Sequence, residues 1–111
     1  MRRFHRQRPF LEGLLKEADH NKREDLLYHA NKDQINAVSE LVLNFLKRKI
    51  PTSPHVIRQL AVHKDTLRSL ARRKHSVKRR KEVLAAQTGG TFWKGLHRCY
   101  RSCLKSTNHF K

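Results

Sequence analysis

The 111-residue chain is long enough for one domain and short enough that its hydrophobic core must be modest. Apolar residues make up 37% of it, and Lys and Arg number 26 against 9 Asp and Glu, a net charge of +17. Two cysteines exclude a disulfide-stapled scaffold, and no apolar run approaches the roughly 20 residues of a membrane-spanning helix.

The positive charge is concentrated in the second part of the sequence. Residues 1–40 hold eight basic and seven acidic side chains, whereas residues 41–111 hold eighteen basic side chains against Asp65 and Glu82. A chain this far from neutrality repels itself when compact, so an anionic partner would stabilise it. The composition therefore favours a phosphate backbone as the partner, ahead of anionic lipid head groups or an acidic protein.

The first 29 residues predict a basic arm followed by two short helices. Residues 1–8 carry four arginines and little else, which is typical of a disordered arm. Pro9 has the fixed φ of a first helical turn, and apolar residues follow at helical spacing as far as Ala18. A second helix is predicted over residues 22–29, where Leu26 and Leu27 are its apolar residues.

Two longer helices with a short linker between them are predicted in the middle of the chain. Asn31 is a favoured N-cap, and Gln34 three residues later completes a capping box, so a helix is expected from there to the basic residues before Pro51. The Ser53-Pro54 pair supplies the cap and first residue of the next helix, which apolar spacing extends to about Arg72. A linker this short favours antiparallel packing of the two helices.

The last part of the chain predicts two further helices, separated by a pair of glycines. Ser76 caps a stretch over residues 77–87, Gly89 and Gly90 end it, and residues 92–105 alternate apolar and basic residues at helical spacing. The sequence predicts an all-α fold, a small three- or four-helix bundle. Its predicted parts are a disordered basic arm at 1–8, a helical domain at 9–88, and a Gly-Gly linker with a loosely attached amphipathic C-terminal helix at 89–111.

The densest basic run spans residues 72–81, where seven of ten side chains are positive and none is negative. On duplex DNA such charges release condensed counterions, so log K falls with log salt by about 0.9 per phosphate neutralised. A solvated helical face is the alternative, but the single sign of the run and three cations on the preceding helix favour phosphate contact. Because the run is almost pure charge, it is expected to position nucleic acid and not to read its sequence. The candidate nucleic-acid-binding residues are Arg58, Lys64, Arg68, Arg72, Arg73, Lys74, Lys78, Arg79, Arg80 and Lys81.

Other chemistry is not indicated by the spacing of the reactive side chains. His97, Cys99, Cys103 and His109 match no common zinc module, so the two cysteines, four residues apart, are expected to be buried. No nucleophile, base and acid are grouped, and the carboxylates form no catalytic pair, so we expect no enzyme activity, cofactor or metal. The segment 91–105 fits either packing on the bundle or lying on a membrane surface.

The order and spacing of several blocks resemble one family over about residues 25–92. The blocks are NKDQI (31–35), LNFLK (43–47), IPTSP (50–54), LRSLA (67–71), SVKRRK (76–81) and QTGG (87–90). The family is that of the small basic proteins encoded by Polinton (Maverick) DNA elements and their adintovirus relatives. Two features depart from the family pattern: Thr91 precedes Phe92, and the tail is basic and amphipathic where that of the relatives is hydrophobic.

The resemblance implies a virus-like element whose late proteins are similar to those of adenoviruses, in which small basic proteins lie in the virion core with the DNA. It implies a charge-driven, sequence-nonspecific DNA-binding or condensing protein of the host nucleus and the virion, with double-stranded DNA as its favoured partner. It also makes Gly89-Gly90 a candidate processing site. The alternatives are a membrane-active or capsid-interior adaptor, partnered by capsid proteins or an anionic membrane surface, whose C-terminal helix is released there, and a nuclear, host-directed protein-interaction module.

Overall fold

The computed structural model describes residues 2–109 and the side chains of residues 2–105, and most of these residues are helical. The all-α prediction is confirmed, because this part of the chain contains eight helices and no strand. None of the described helices is long and apolar enough to cross a bilayer. The helices are α1 (Arg2–Arg6), α2 (Arg8–Lys16), α3 (His20–His29), α4 (Lys32–Leu46), α5 (Pro54–Ala61), α6 (Lys64–Ala71), α7 (Val77–Ala85) and α8 (Gly90–His109).

The central element is α4, which packs against α1, α2, α6, α7 and α8. Its predicted capping box is confirmed, since the Asn31 side chain accepts the Gln34 N–H at 2.9 Å and the Gln34 side chain accepts the Asn31 N–H at 2.8 Å. Its apolar stripe is buried as far as Val42, with Ile35 and Leu41 fully inaccessible. Local signals and burial agree along this helix, which explains why the sequence predicts it correctly.

The end of α4 is a Schellman motif with an arginine in the position that glycine usually occupies. The Lys49 N–H donates to the Asn44 carbonyl at 2.9 Å, and the Arg48 N–H donates to the Phe45 carbonyl at 3.0 Å. This geometry requires a left-handed backbone at Arg48, whose φ is 55°. The helix therefore ends at Leu46, and residues 47–49 leave it instead of forming its last turn.

The single helix predicted from Pro54 to about Arg72 is wrong, because the chain breaks at Val62 and His63 into α5 and α6. The Val62 side chain is 77% exposed, and the His63 N–H bonds to the Leu60 carbonyl in a tightened turn. The break lets the two halves face different neighbours: α5 packs on α8, while α6 packs on α4 and α7.

The predicted disordered arm is also wrong for residues 2–8. Arg2–Arg6 is helical, and the chain passes directly into α2 at Arg8. Phe4 is fully buried with its ring 5.3 Å from that of Tyr100, and Arg3 lies 3.7 Å from the Asp33 carboxylate. One buried aromatic side chain therefore orders a segment that is otherwise basic and polar. Position 1 lies outside the described residues.

The C-terminal helix is an integral part of the core, so the predicted loose attachment is wrong. Gly90 is its first residue and therefore not part of a linker. A Cβ at Gly95 would lie 2.7 Å from a methyl carbon of Leu60, so α8 packs on α5 more closely than a side chain would permit. Positions 110 and 111 of the predicted segment lie outside the described residues. The buried side chains of α8 are Phe92, Trp93, Leu96, Cys99, Tyr100 and Cys103.

Candidate nucleic-acid interface

The connection between α6 and α7 carries the most concentrated exposed charge. Buried Leu67 and Leu70 hold α6 against the core up to Ala71, and Ser76 caps α7 by accepting the Arg79 N–H at 3.0 Å. Only five residues join the two helices. Four of the basic side chains exposed at this connection and in the first turn of α7 are Arg72, Arg73, Lys74 and Arg79, which we call the basic corner.

The electrostatics of His75 report on this corner. Partial burial, followed by the positive charges of Arg79, Arg72 and Lys74, lowers the pKa of His75. The charged side chains that act on this imidazole are all cations. The basic corner is therefore a region of positive potential in which protonation of a further group is disfavoured.

Arg80 does not belong to the interface, which corrects the prediction made for it. Its side chain is 3% exposed, and Nη1 donates to the Asn36 Oδ1 at 2.8 Å and to the Ser39 Oγ at 2.7 Å. Burial, and to a lesser extent the charge of Arg73, lowers its pKa. The sequence contains a signal for this position, since Val77, Arg80 and Leu84 have the three- and four-residue spacing of an inward face. Arg80 thus joins α7 to α4.

Lys78 and Lys81 lie beside α3, in a groove that also contains acidic side chains. Lys78 is exposed, whereas Lys81 is partly buried and its Nζ donates to the Tyr28 carbonyl at 3.1 Å. The carboxylates that line the same groove are Glu24, Asp25 and Glu82. These two lysines therefore contribute less net positive potential than the basic corner does.

The three supporting cations on the preceding helices are all exposed. Lys64 and Arg68 line one cavity with Arg48. Arg48 is not in the predicted set, because the sequence predicts a regular helical turn over residues 47–49. Arg58 lies on α5, next to Gln59, whose side chain accepts a hydrogen bond from Arg98 at 2.9 Å. The structure therefore adds Arg48 and Arg98 to the cations near the predicted set.

Gly89 and Gly90 are exposed, but the helix that follows them is not separable from the core. Phe92 and Trp93, the side chains that the membrane alternative places at a lipid surface, are 1% and 2% exposed. The Trp93 Nε1 donates to the Gln87 carbonyl at 2.6 Å, which spans the glycine pair. Processing at this site stays a prediction.

The cysteines are buried, as predicted, and their environment suppresses thiolate chemistry. Burial raises the pKa of Cys99 to about 12 and that of Cys103 to about 11, so both thiols stay protonated near neutral pH. Among the described side chains, no three His, Cys, Asp or Glu residues are grouped to hold a metal ion. The side chain of His109 lies outside the described part.

No protein-family model, curated protein or solved structure matches this chain. The resemblance to the Polinton proteins therefore stays a prediction.

Proposed function

We propose that this protein binds nucleic acid through charge, with little sequence preference, and that the basic corner makes the principal phosphate contacts. Arg58, Lys64, Arg68 and Lys78 support that contact. The resemblance to Polinton proteins suggests the setting: packaging of the element's double-stranded DNA in the virion core, in the host nucleus and the virion.

The observation that carries the proposal is the distribution of ion pairs. Every ion pair between described side chains lies within residues 3–33, for example Arg3 with Asp33 and Arg8 with Glu12. The exposed cations of the basic corner thus have no carboxylate partner in the described part of the chain. Uncompensated like charges oppose folding, and a polyanion removes that cost.

The way in which α6 and α7 hold the basic corner in place also suits binding to a phosphate backbone. Duplex DNA presents one negative charge per roughly 1.7 Å of axis, so several closely spaced cations can engage neighbouring phosphates together. The corner is held by buried anchors on both sides, Leu70 on α6 and Leu84 on α7. It presents only Arg and Lys, which contact phosphates from many orientations, so binding should depend little on base sequence.

The test compares two quadruple variants with the same loss of charge. One replaces the basic corner by Gln, and the control replaces four exposed cations of the N-terminal part, Arg2, Arg6, Lys16 and Lys32. If all four corner residues neutralise phosphates, the slope of log K against log salt decreases by about 3.6 units on duplex DNA. The control should lose much less of this slope.

Fluorescence anisotropy with two unrelated duplexes, single-stranded DNA and RNA, each across a salt series, supplies the measurement. The corner variant should weaken binding to both duplexes equally. The single-stranded DNA and RNA arms decide which polynucleotide is preferred. Equal losses in the corner and control variants would show that the corner has no special role, and wild-type affinity in the corner variant at low salt would refute the proposal.

A further inference from the structure

A cavity of about 490 Å³ lies where the end of α4, the linker after it, α5 and the start of α6 meet. It exists because the chain breaks at Val62 and His63, so that α5 and α6 diverge. Its walls are apolar, and Phe45, Leu46 and Ile57 in them are only partly buried. This volume lies within the range of roughly 300–1,000 Å³ that small-molecule sites occupy.

Three cations surround the cavity. Arg48 comes from the turn after α4, and Lys64 and Arg68 come from successive turns of α6. The lining contains no carboxylate and no side-chain amide. Its one hydroxyl, that of Thr52, already donates to the Ile50 carbonyl at 2.8 Å. The cavity therefore offers apolar contact inside and hydrogen-bond donors with positive charge around it.

Arg48 lines the cavity from an uncommon backbone conformation. A non-glycine residue at φ 55° is uncommon and strained. Glycine would satisfy the same Schellman motif without strain. The two hydrogen bonds of that motif hold the Arg48 backbone beside the apolar wall formed by Phe45 and Leu46.

We propose that this cavity binds one fatty acid molecule, with the hydrocarbon chain against the apolar walls and the carboxylate among Arg48, Lys64 and Arg68. A nucleobase suits the cavity poorly, because its edge would leave polar groups unpaired against apolar walls. A peptide suits it poorly as well, because its N–H groups need acceptors that the lining side chains do not provide. The cavity contains no residue of the basic corner, but Lys64 and Arg68 belong both to its lining and to the cations that support the nucleic-acid contact.

Isothermal titration of the full-length protein with sodium dodecanoate, below its micelle concentration, tests the proposal. We expect saturation at one molecule per chain. Each methylene added between decanoate and tetradecanoate should tighten binding about four-fold, which corresponds to the transfer of one methylene from water. Dodecyltrimethylammonium, which has the same chain and the opposite charge, should not bind.

Three variants locate the site. Ala61→Phe places a ring in the cavity from an exposed position and should weaken dodecanoate binding at least ten-fold. Arg48→Gln should weaken it by up to about five-fold, the range of a solvent-accessible ion pair. Lys49→Gln is the matched control, since Lys49 is exposed, adjacent and absent from the lining, and it should bind as the wild type does.

Several results would overturn the proposal. Unsaturable binding, or equal losses in Lys49→Gln and Arg48→Gln, would mean that the anion pairs nonspecifically with a strongly basic surface. Binding to anionic vesicles without binding to monomeric dodecanoate would indicate a membrane contact. Tighter binding of an acidic, leucine-containing peptide would indicate a peptide site. Ala61→Phe should keep its DNA affinity, so failure of this proposal is distinguishable from failure of the proposed function.

Discussion

Arg79 and Arg80 are sequence neighbours in opposite environments, so replacing each by Met should separate binding from stability. Arg79 is exposed in the basic corner, whereas Arg80 is 3% exposed between α7 and α4. Arg79→Met should lower the salt slope of DNA binding by about 0.9 and leave the free energy of unfolding within about 0.5 kcal/mol of wild type. Arg80→Met should destabilise the fold and leave DNA affinity unchanged wherever the variant is folded.

The destabilisation can be worked out from the contacts of Arg80. Its guanidinium makes two buried hydrogen bonds, to Asn36 and Ser39, and a hydrogen bond from a charged donor is worth about 1.5–3 kcal/mol. Neither acceptor is a carboxylate, so these hydrogen bonds do not neutralise the buried positive charge. Removing that charge therefore recovers part of the lost stability. A net loss of about 2 kcal/mol remains, which corresponds to a decrease in Tm of about 8 °C for a chain of this size.

Urea unfolding followed by circular dichroism measures this loss, and an unchanged m-value shows that the denatured state is unaffected. The triple variant with Asn36→Leu and Ser39→Ala added should recover at least half of the lost stability, because no buried acceptor then lacks a donor. Wild-type stability in Arg80→Met, or weaker DNA binding by the folded variant, would show that Arg80 acts at the surface and does not stabilise the packing of α7 on α4.

Three further outcomes are expected from the core and from the turn after α4. Gly95→Ala should destabilise by about 1–2 kcal/mol, because its Cβ would lie 2.7 Å from a Leu60 carbon, whereas Gly13→Ala, with open space around it, should stabilise by about 0.5–1 kcal/mol in the same thermal unfolding assay. Arg48→Gly should raise stability by about 1 kcal/mol in urea, since it removes the left-handed strain. An unfolded chain loses the Cys99 and Cys103 protons near pH 9, whereas the folded protein keeps them to about pH 11–12. The contribution of these thiols to the free energy of unfolding is therefore complete below pH 9 and is lost towards pH 12. Alanine at both positions should flatten the alkaline decline in stability, measured by urea titration.

The sequence predicts elements correctly where local chemistry and tertiary burial agree. In α4 the Asn31 cap, the Gln34 side chain and the apolar spacing all indicate the same helix, and each has its predicted partner or burial. The Ser53 and Ser76 caps are confirmed for the same reason, because a cap depends on residues three positions away.

Predictions fail where a distant partner decides the outcome. Phe4 is the one buried residue of α1, so no periodicity reveals that its ring packs on Tyr100, far along the chain. The α5–α6 break depends on Leu60 packing on α8 and Leu67 packing in the core, which a continuous apolar spacing does not show. Arg80 was counted as a surface cation because it stands in a basic run, although its spacing from Leu84 indicates an inward face.

The burial of α8 sets an order for folding during synthesis. The side chains that α8 inserts against α1, α2 and α5 leave the ribosome later than the helices on which they pack. Until residue 103 has emerged, the apolar faces of those earlier helices stay exposed to solvent and can associate with other chains. Nascent copies on one messenger RNA would therefore be exposed to misassembly, and a nearby polyanion that screens their repulsion would increase that hazard.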